Sequence, residues 1–549
     1  MLDEFTHYYT DYIKSTYDCV DRIILNAYFS LGHNPGGFRT WWRNLRGSDD
    51  DLNTTQLMRL AGRMSRRIRG FCKSKDIPVI TCHYGDRKHQ IAEEYIPKDP
   101  DYVGVFLVLV NRAPGVVWHI QRADSGKISH IVKRKPLPHV NHYSFHIMDP
   151  EWGHMTIKIC GHPPFGAQIM LNGHEYIDRQ ARKKSIDFIK EGNCFTHIKD
   201  AYRLSLVADT LCSMNAIGRL RQVCERWIYS SCLCFALDMV EQERSGFRYD
   251  YSLYQMEYSR NLLFNKGSEL EQIFQGVVDR TRHQLNIKTL RTIFGTKQRP
   301  FLTRNKNKPR EEVVVERPQY NLTVFKLHFG KFTVKLYTKG ENVLRVEVIV
   351  HNAKAFSFGR SLIKFPQVVS TLQGMLNRFL HTLHCVNYSC LSDNMLEALP
   401  EPSTVGKQRV GGIDINKPRI KAVMETLIEL SMSPYGFSSS DLANKMKTKT
   451  GFEESHYSSR NAAYDLKKFR GKALVNRIVK TRKYSVSEEG LRTMVALYTL
   501  NEKVVKPLLS STVKIQQEPK VRTHTPFDCH YQNLRLEMKN VFKTMGIAA

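Results

Sequence analysis

The sequence predicts a mixed α+β chain of several domains, with antiparallel β meanders and helices packed against them. Three observations predict it. Alternating runs such as HMTIKIC and KFTVKLYTKG, bounded by Gly, Pro or Asp, have the period of strands. Stretches with apolar residues three and four apart, such as LNTTQLMRLAGRMSRRIRGFCKSK and PRIKAVMETLIEL, have the period of amphipathic helices. The 549 residues, 42% hydrophobic and 25% charged, are enough for several globular cores.

Residues 1–130 are expected to form an α/β domain. An opening helix precedes the strand DRIILNAYF. PGGFRTWWRNLRG reads as a Gly-rich turn into an aromatic, basic segment. IPVIT is a short strand, and GDRKHQIAEEYI is a helix with Asp86 near its start. VGVFLVLV and GVVWHIQR are expected to pair as a hairpin around NRAP. Asp21, Asp86, Glu93 and Glu94 are carboxylates that would gather at a metal site of the RNase H kind. The competing reading has Asp86 capping its helix and the glutamates in solvent.

Residues 131–295 carry the densest chemistry. HVNHYSFHIMD and HMTIKIC form a hairpin around the turn DPEWG. A further strand leads into a helix that begins near Asn172 and His174. His142 and His146, four apart on a strand, share one face. With His174 they are the candidate ligands for a divalent cation, Mg or Mn, that would activate water or polarise a phosphate. The competing reading has them bonded to phosphate, backbone or each other. YDYSLYQMEYSRNLLF is expected to be a helix with Tyr254 and Tyr258 on one face. Either phenol is a candidate nucleophile toward a phosphodiester. Arg244, Arg248 and Arg260 are candidate phosphate contacts, or else partners for Glu241, Glu243 and Glu257.

The hairpin followed by a helix carrying His and Asn resembles the HNH endonucleases, without their paired residues at the end of the first strand. The histidines together with the Tyr254–Tyr258 spacing resemble the rolling-circle replication endonucleases. That family's His-hydrophobic-His is here His142-Tyr-Ser-Phe-His146. Both resemblances imply metal-dependent DNA cleavage or strand transfer.

Residues 296–318 are polar, basic and proline-containing, as in a linker. In residues 319–395, YNLTVFKLHFG, KFTVKLYTKG and NVLRVEVIVHN form a three-stranded meander, and FPQVVSTLQGMLNRFLHTLHC is a helix covering it. Arg345 and Glu347 share one face of the last strand, read as a charged solvent face. KLYTKGENVLRVEV is similar to a strand pair in phage and plasmid replication initiators. Residues 396–417 read as a second linker, and 501–549 as a tail closing in the short amphipathic helix DCHYQNLRLEMKNVFKTMGI.

Residues 418–500 show the clearest pattern. Ser438 to Ser440 supply caps for a helix starting near Asp441. A second helix starts after Ser458 or Ser459 and runs to about Arg470. Ala462, Leu466, Phe469 and Ala473 fall on its core side. Arg460, Tyr464, Lys467 and Lys468 fall on the opposite, cationic side. LVNRI and KYSVS flank a turn holding Lys480, Arg482 and Lys483. PRIKAVMETLIEL places Ile420, Val423, Met424, Leu427 and Ile428 on one stripe. The stretch resembles winged helix-turn-helix domains. The resemblance implies that Arg460, Tyr464, Lys467 and Lys468 enter a DNA groove while Lys480, Arg482 and Lys483 hold the backbone. A winged helix used for protein contacts is the alternative.

The 82 Lys and Arg against 53 Asp and Glu give a net charge of +29, which suits a polyanionic partner. Basic runs outside the winged stretch, such as RMSRRIRGFCKSK and RQARKK, extend that expectation to the body. Sequence-directed DNA binding is therefore the expected function, within mobile-element or replication-related DNA processing. Metal-dependent cleavage is the second reading. RNA binding by the body is the third, with Phe38 to Arg46 stacking on unpaired bases. No lipidation signal, amphipathic anchor or bilayer-length apolar run points to a membrane. The N-terminus has no signal-peptide pattern, and the 12 cysteines include no CxxC pair. Together these predict buried thiols in a cytoplasmic protein.

Overall fold

The strand Ile13–Tyr28 (β1) organises most of the chain. It is 16 residues long, starting eight residues before the expected DRIILNAYF. The structure is a computed structural model that describes residues 3–284, 310–314, 324–329, 331–356, 358–387, 395–406, 408–431, 433, 436–447, 457–479, 481–501, 533, 536 and 537. The C-terminal helix DCHYQNLRLEMKNVFKTMGI falls almost wholly outside them.

The fold is mixed α+β. In chain order the further strands are Val79–Thr81 (β2), Gly104–Pro114 (β3), His139–Asp149 (β4), Gly153–Cys160 (β5), Ala167–Asn172 (β6) and Asp250–Phe264 (β7). They continue with Arg310–Val314 (β8), Val324–Phe329 (β9), Phe332–Lys339 (β10) and Val343–Val350 (β11). With β1 they form one sheet in the order β8-β9-β10-β11-β7-β1-β6-β5-β4-β3-β2. Only the β2–β3 pairing is parallel. The β4–β5–β6 run and the β9–β10–β11 meander are as expected.

That sheet takes strands from the three stretches 1–130, 131–295 and 319–395, each expected to be a separate domain, and β8 comes from the expected basic linker. The ladders β1–β6, β1–β7 and β7–β11 cross the expected boundaries. Residues Tyr9–Glu271 and Arg291–Leu376 form one compact unit, here the large unit. Met1–Tyr8, Gln272–Leu290 and Asn377–Ala549 form a second, the small unit.

Three local readings of the large unit are corrected. The segment around NRAP is not a turn, because β3 runs through it paired with β4, while Trp118–Arg122 pairs with Ile128–Lys133. PGGFRTWWRNLRG does not open on a Gly-rich turn but is the helix Pro35–Arg46 (α1), capped by Asn34, with proline at its first turn. Phe38, Trp41 and Trp42 on it are 0% exposed, so they serve the core and are closed to stacking on bases. Tyr254 and Tyr258 lie on β7, not on a helix. The helices Thr54–Ser74 (α2), Gly173–Lys183 (α3), Asn215–Ser231 (α4) and Phe365–Asn387 (α5) match their apolar spacing. No helix among the described residues is long and apolar enough to cross a membrane.

In the small unit, Pro418–Ser431 (α6), Ser439–Lys447 (α7) and Ser459–Gly471 (α8) are followed by strands Val475–Arg477 (β12) and Tyr484–Val486 (β13) and by Glu488–Leu500 (α9). The expected stripe of α6, from Ile420 to Ile428, is buried. The expected second linker is partly ordered, as the hairpin Ser403–Val405 with Gln408–Val410.

Candidate nucleic-acid interface

Helix α8 starts where Ser458 accepts a hydrogen bond from the Asn461 amide. Ala462, Leu466 and Phe469 are 0% exposed, as the spacing requires. Ala473 is not on that face; it lies beyond the helix end with φ 57 and is exposed. Asp465, unremarked in the sequence, is also 0% exposed. It accepts from the Tyr457 hydroxyl at 2.9 Å and from Arg419 at 3.2 Å, tying α8 to α6.

The opposite face is open. Arg460 is exposed, and Tyr464 is 51% exposed with the Lys468 ammonium 5.3 Å over its ring. Lys467 is half-buried and donates to Gln408 of the upstream hairpin, so it is held beside the exposed set. Beyond β12, Arg482 and Lys483 are exposed, and Lys480 lies outside the described residues. Tyr484 exchanges backbone hydrogen bonds with Phe437, which makes a third edge for the β12–β13 hairpin. Gly436 permits this approach: its φ is +71, and a Cβ there would meet the Tyr484 carbonyl oxygen at 2.4 Å. From Ser459 to Lys483 the sequence has nine Lys and Arg and a single acidic residue, the buried Asp465. Basic residues therefore outnumber acidic ones nine to one in this stretch.

The candidate metal ligands do not converge. The His142 ring contacts the Val140 carbonyl at 3.2 Å. His146 Nδ1 lies 3.0 Å from His154 Nε2, and burial together with that neighbour pushes His146 down to about 3. His174 belongs to a different cluster. Helix α3 begins hard against β1, because Gly173 lacks the Cβ that would meet the Val20 carbonyl oxygen at 1.7 Å. His174 Nδ1 thereby comes within 2.6 Å of Asp21 Oδ1 and 3.4 Å of Cys19 Sγ. Its Nε2 is 3.1 Å from the Arg345 guanidinium. Arginine can only donate, so Nε2 accepts and the ring proton sits on Nδ1. The contact with Asp21 is an ion-pair distance without hydrogen-bond alignment, and neither Asp21 oxygen has a well-aimed donor. Arg345 also donates to Asn261 Oδ1 and the Asn193 carbonyl, both at 2.7 Å.

Ligand atoms of Cys19, Asp21 and His174 lie within 4.8 Å of one another. They do not fit Mg or Mn, which take oxygen donors, and the protonated Nδ1 has no lone pair to give. Asp21 is buried, whereas its expected carboxylate partners are not: Asp86 is exposed and accepts from the His83 amide, and Glu93 and Glu94 are exposed. The cluster is a buried charge network. Arg345 and His174 hold the Asp21 carboxyl below its usual range against the opposing effect of burial.

The tyrosines are also placed differently than expected. Tyr258 is 1% exposed and donates to Asp18 at 2.9 Å, and burial pushes its phenol far up. Arg260 is spent on the same Asp18 and is 8% exposed, so it is no phosphate contact. Tyr254 is half-buried at a register shift between β1 and β7.

Glu257 on this sheet has a pKa near neutrality. Burial first, then the Glu347 carboxylate, raise Glu257 to about 7. Its folded value lies above its ordinary one, so the stability it contributes is full below about pH 4.5 and is lost as pH rises through about 7. Glu257→Gln is expected to stabilise the protein at pH 8 by about 1 to 2 kcal/mol and to change little at pH 4.5. Thermal unfolding at both pH values checks this.

No family model, no curated protein and no solved structure matches this chain. The reading of function therefore rests on its own geometry. These roles were missed: Asp21 was read as a metal-site carboxylate, Arg345 as part of a solvent face, and Asp465 was not singled out. Their signal is long-range pairing, which local spacing does not carry.

Proposed function

We propose that the chain is a DNA-binding protein that grips a duplex with α8 and the β12–β13 hairpin, in the manner of a winged helix. The observation that carries the reading is the division of α8. One side is closed into the core by Ala462, Leu466, Phe469 and the tied Asp465. The other presents Arg460, Tyr464 and Lys468 beside exposed Arg477, Arg482 and Lys483. Cationic side chains on one helix face match the width and charge of a major groove, and a basic hairpin beside it matches the phosphate backbone. Cleavage has less to support it, since the candidate histidines lie apart and Tyr258 is tied to Asp18.

The test is fluorescence anisotropy with labelled duplex over a salt series. Arg460→Ala with Lys468→Ala is expected to weaken binding about 10- to 100-fold and to reduce the salt slope by about two. Both side chains face outward, so the variant should keep the wild-type melting temperature. Unchanged duplex affinity in that variant would sink the proposal.

A further inference from the structure

Four polar residues lie in one transverse row across the large sheet. Ser252 on β7 pairs with Asn26 on β1, Asn26 with Gln168 on β6, and Gln168 with Lys158 on β5. Directly paired residues project from the same face. Above this row is a cavity of about 410 Å³, walled further by Tyr28, His33, His142 and Arg360. A second cavity of about 200 Å³ adjoins it and shares Tyr28, His33 and His142.

The lining has cations and no carboxylate. Among the described residues neither Lys158 nor Arg360 has an acidic partner. Arg360 is held in place because its carbonyl accepts from the Leu253 amide at 2.9 Å. Burial and then Lys88 push the Lys158 ammonium below its usual range. Burial, Lys133 and Arg360 do the same to His33. These groups lack the counter-charge that an anion would bring. Ser252 adds an independent sign of a ligand: it is 3% exposed, and its hydroxyl has no hydrogen-bond partner. Gln168 donates to Asn26 Oδ1 at 3.1 Å, which leaves amide donors of Asn26 for another group. The Tyr28 and His33 rings stand 5.3 Å apart at the wall.

We propose that this cavity binds a nucleotide, with its phosphate against Lys158 and Arg360 and its base against the Tyr28 and His33 rings. Asn26 and Ser252 supply hydrogen bonds to the sugar or the base edge. The volume lies in the range of small-molecule sites, roughly 300–1,000 Å³, and excludes a duplex. The nucleotide is therefore free, or is one splayed from a single strand. The site stands on large-unit residues alone and does not depend on duplex binding by α8.

The experiment uses the full chain and calorimetric titration with thymidine 5′-monophosphate, thymidine and inorganic phosphate. Labelled oligothymidylate and oligouridylate are followed by anisotropy. Lys158→Gln and Arg360→Gln are each expected to weaken the monophosphate about tenfold, and Ser252→Ala a few-fold, while duplex affinity stays unchanged. Arg360 lies on a loop, so its variant keeps the test valid if Lys158→Gln fails to fold. Arg460→Ala with Lys468→Ala should leave monophosphate binding intact. Tighter binding of an oligonucleotide than of the monophosphate identifies the source as a strand, and the reverse identifies a free nucleotide. Thymidine binding as tightly as its monophosphate, or phosphate as tightly as either, would overturn the assignment. So would monophosphate binding that is absent, or indifferent to Arg360→Gln.

Discussion

Arg345→Met is expected to destabilise the large unit by about 3 to 5 kcal/mol at pH 7, the cost of removing one partner from a buried ion pair. Arg345 is 0% exposed and is the main cation holding the Asp21 carboxylate in its charged form. Without it that carboxylate must stay buried and charged or take up a proton. The loss therefore depends on pH. In the wild type Asp21 has a lowered value, so it contributes stability above the ordinary aspartate range that is lost as pH falls through its folded pKa. In the variant Asp21 accepts a proton more readily, and the difference between the two proteins should shrink toward pH 4. Asp21→Asn combined with Arg345→Met removes both charges and should recover a large part of the loss. Urea unfolding followed by circular dichroism at pH 7 and pH 4 measures all three proteins. If the double variant is as unstable as Arg345→Met alone, the network is not the source of the stability.

The second large effect is acid sensitivity in a range where few carboxylates titrate. Burial lowers His33, His142, His146, His154, His162 and His174 below the ordinary 6.5, with His146 at about 3. Each takes up a proton less readily in the folded chain than in the unfolded one. Their stabilising contribution is complete above about pH 6.5 and falls away as pH drops from there toward the folded values. Each such histidine adds up to about 1.4 kcal/mol per pH unit to the slope. Glu257 acts in the opposite sense across this window, as do the raised carboxyls of Asp209, Asp465 and Glu488, but these four are set against six depressed imidazoles. The urea midpoint should therefore drop steeply between pH 6.5 and 4.5. His146→Gln, which cannot charge, should flatten that drop. A midpoint independent of pH over the window would show that these rings find protons or partners in the folded state.

What the sequence discloses and what it hides separate along one line. Local period was legible. The alternation in His139–Asp149 and Gly153–Cys160 and the stripe on Pro418–Ser431 each matched the element found. The α8 division into buried Leu466 and exposed Arg460 was equally legible, because a helix in contact with a core on one side needs only its own 3.6-residue repeat. Long-range pairing was not. Tyr254 and Tyr258 are four apart, and that interval puts side chains on one face of a helix and on one face of a strand alike. The strand assignment is decided by partners in β1 and β11. Arg345 and Glu347 look like the solvent face of an edge hairpin, yet every residue of β11 is buried, because β7 and β10 flank it and both faces are covered. His174 offered no local sign that Asp21 would be its neighbour, since the two meet only when β6 pairs with β1. The Lys158 cavity was hidden for the same reason, its walls coming from six strands and the segments that connect them.

The place of β1 in the sheet also matters while the chain is being made. One of its neighbours, β6, ends at Asn172, and the other, β7, ends at Phe264. At about 5–20 residues per second, a ribosome needs on the order of ten seconds or more after releasing β1 to deliver β7. Until then an apolar ribbon carrying Ile23, Ile24 and Leu25 has an unfilled edge. The nascent chain must keep it from pairing with the wrong partner, and slowing translation before residue 264 would lengthen that exposure.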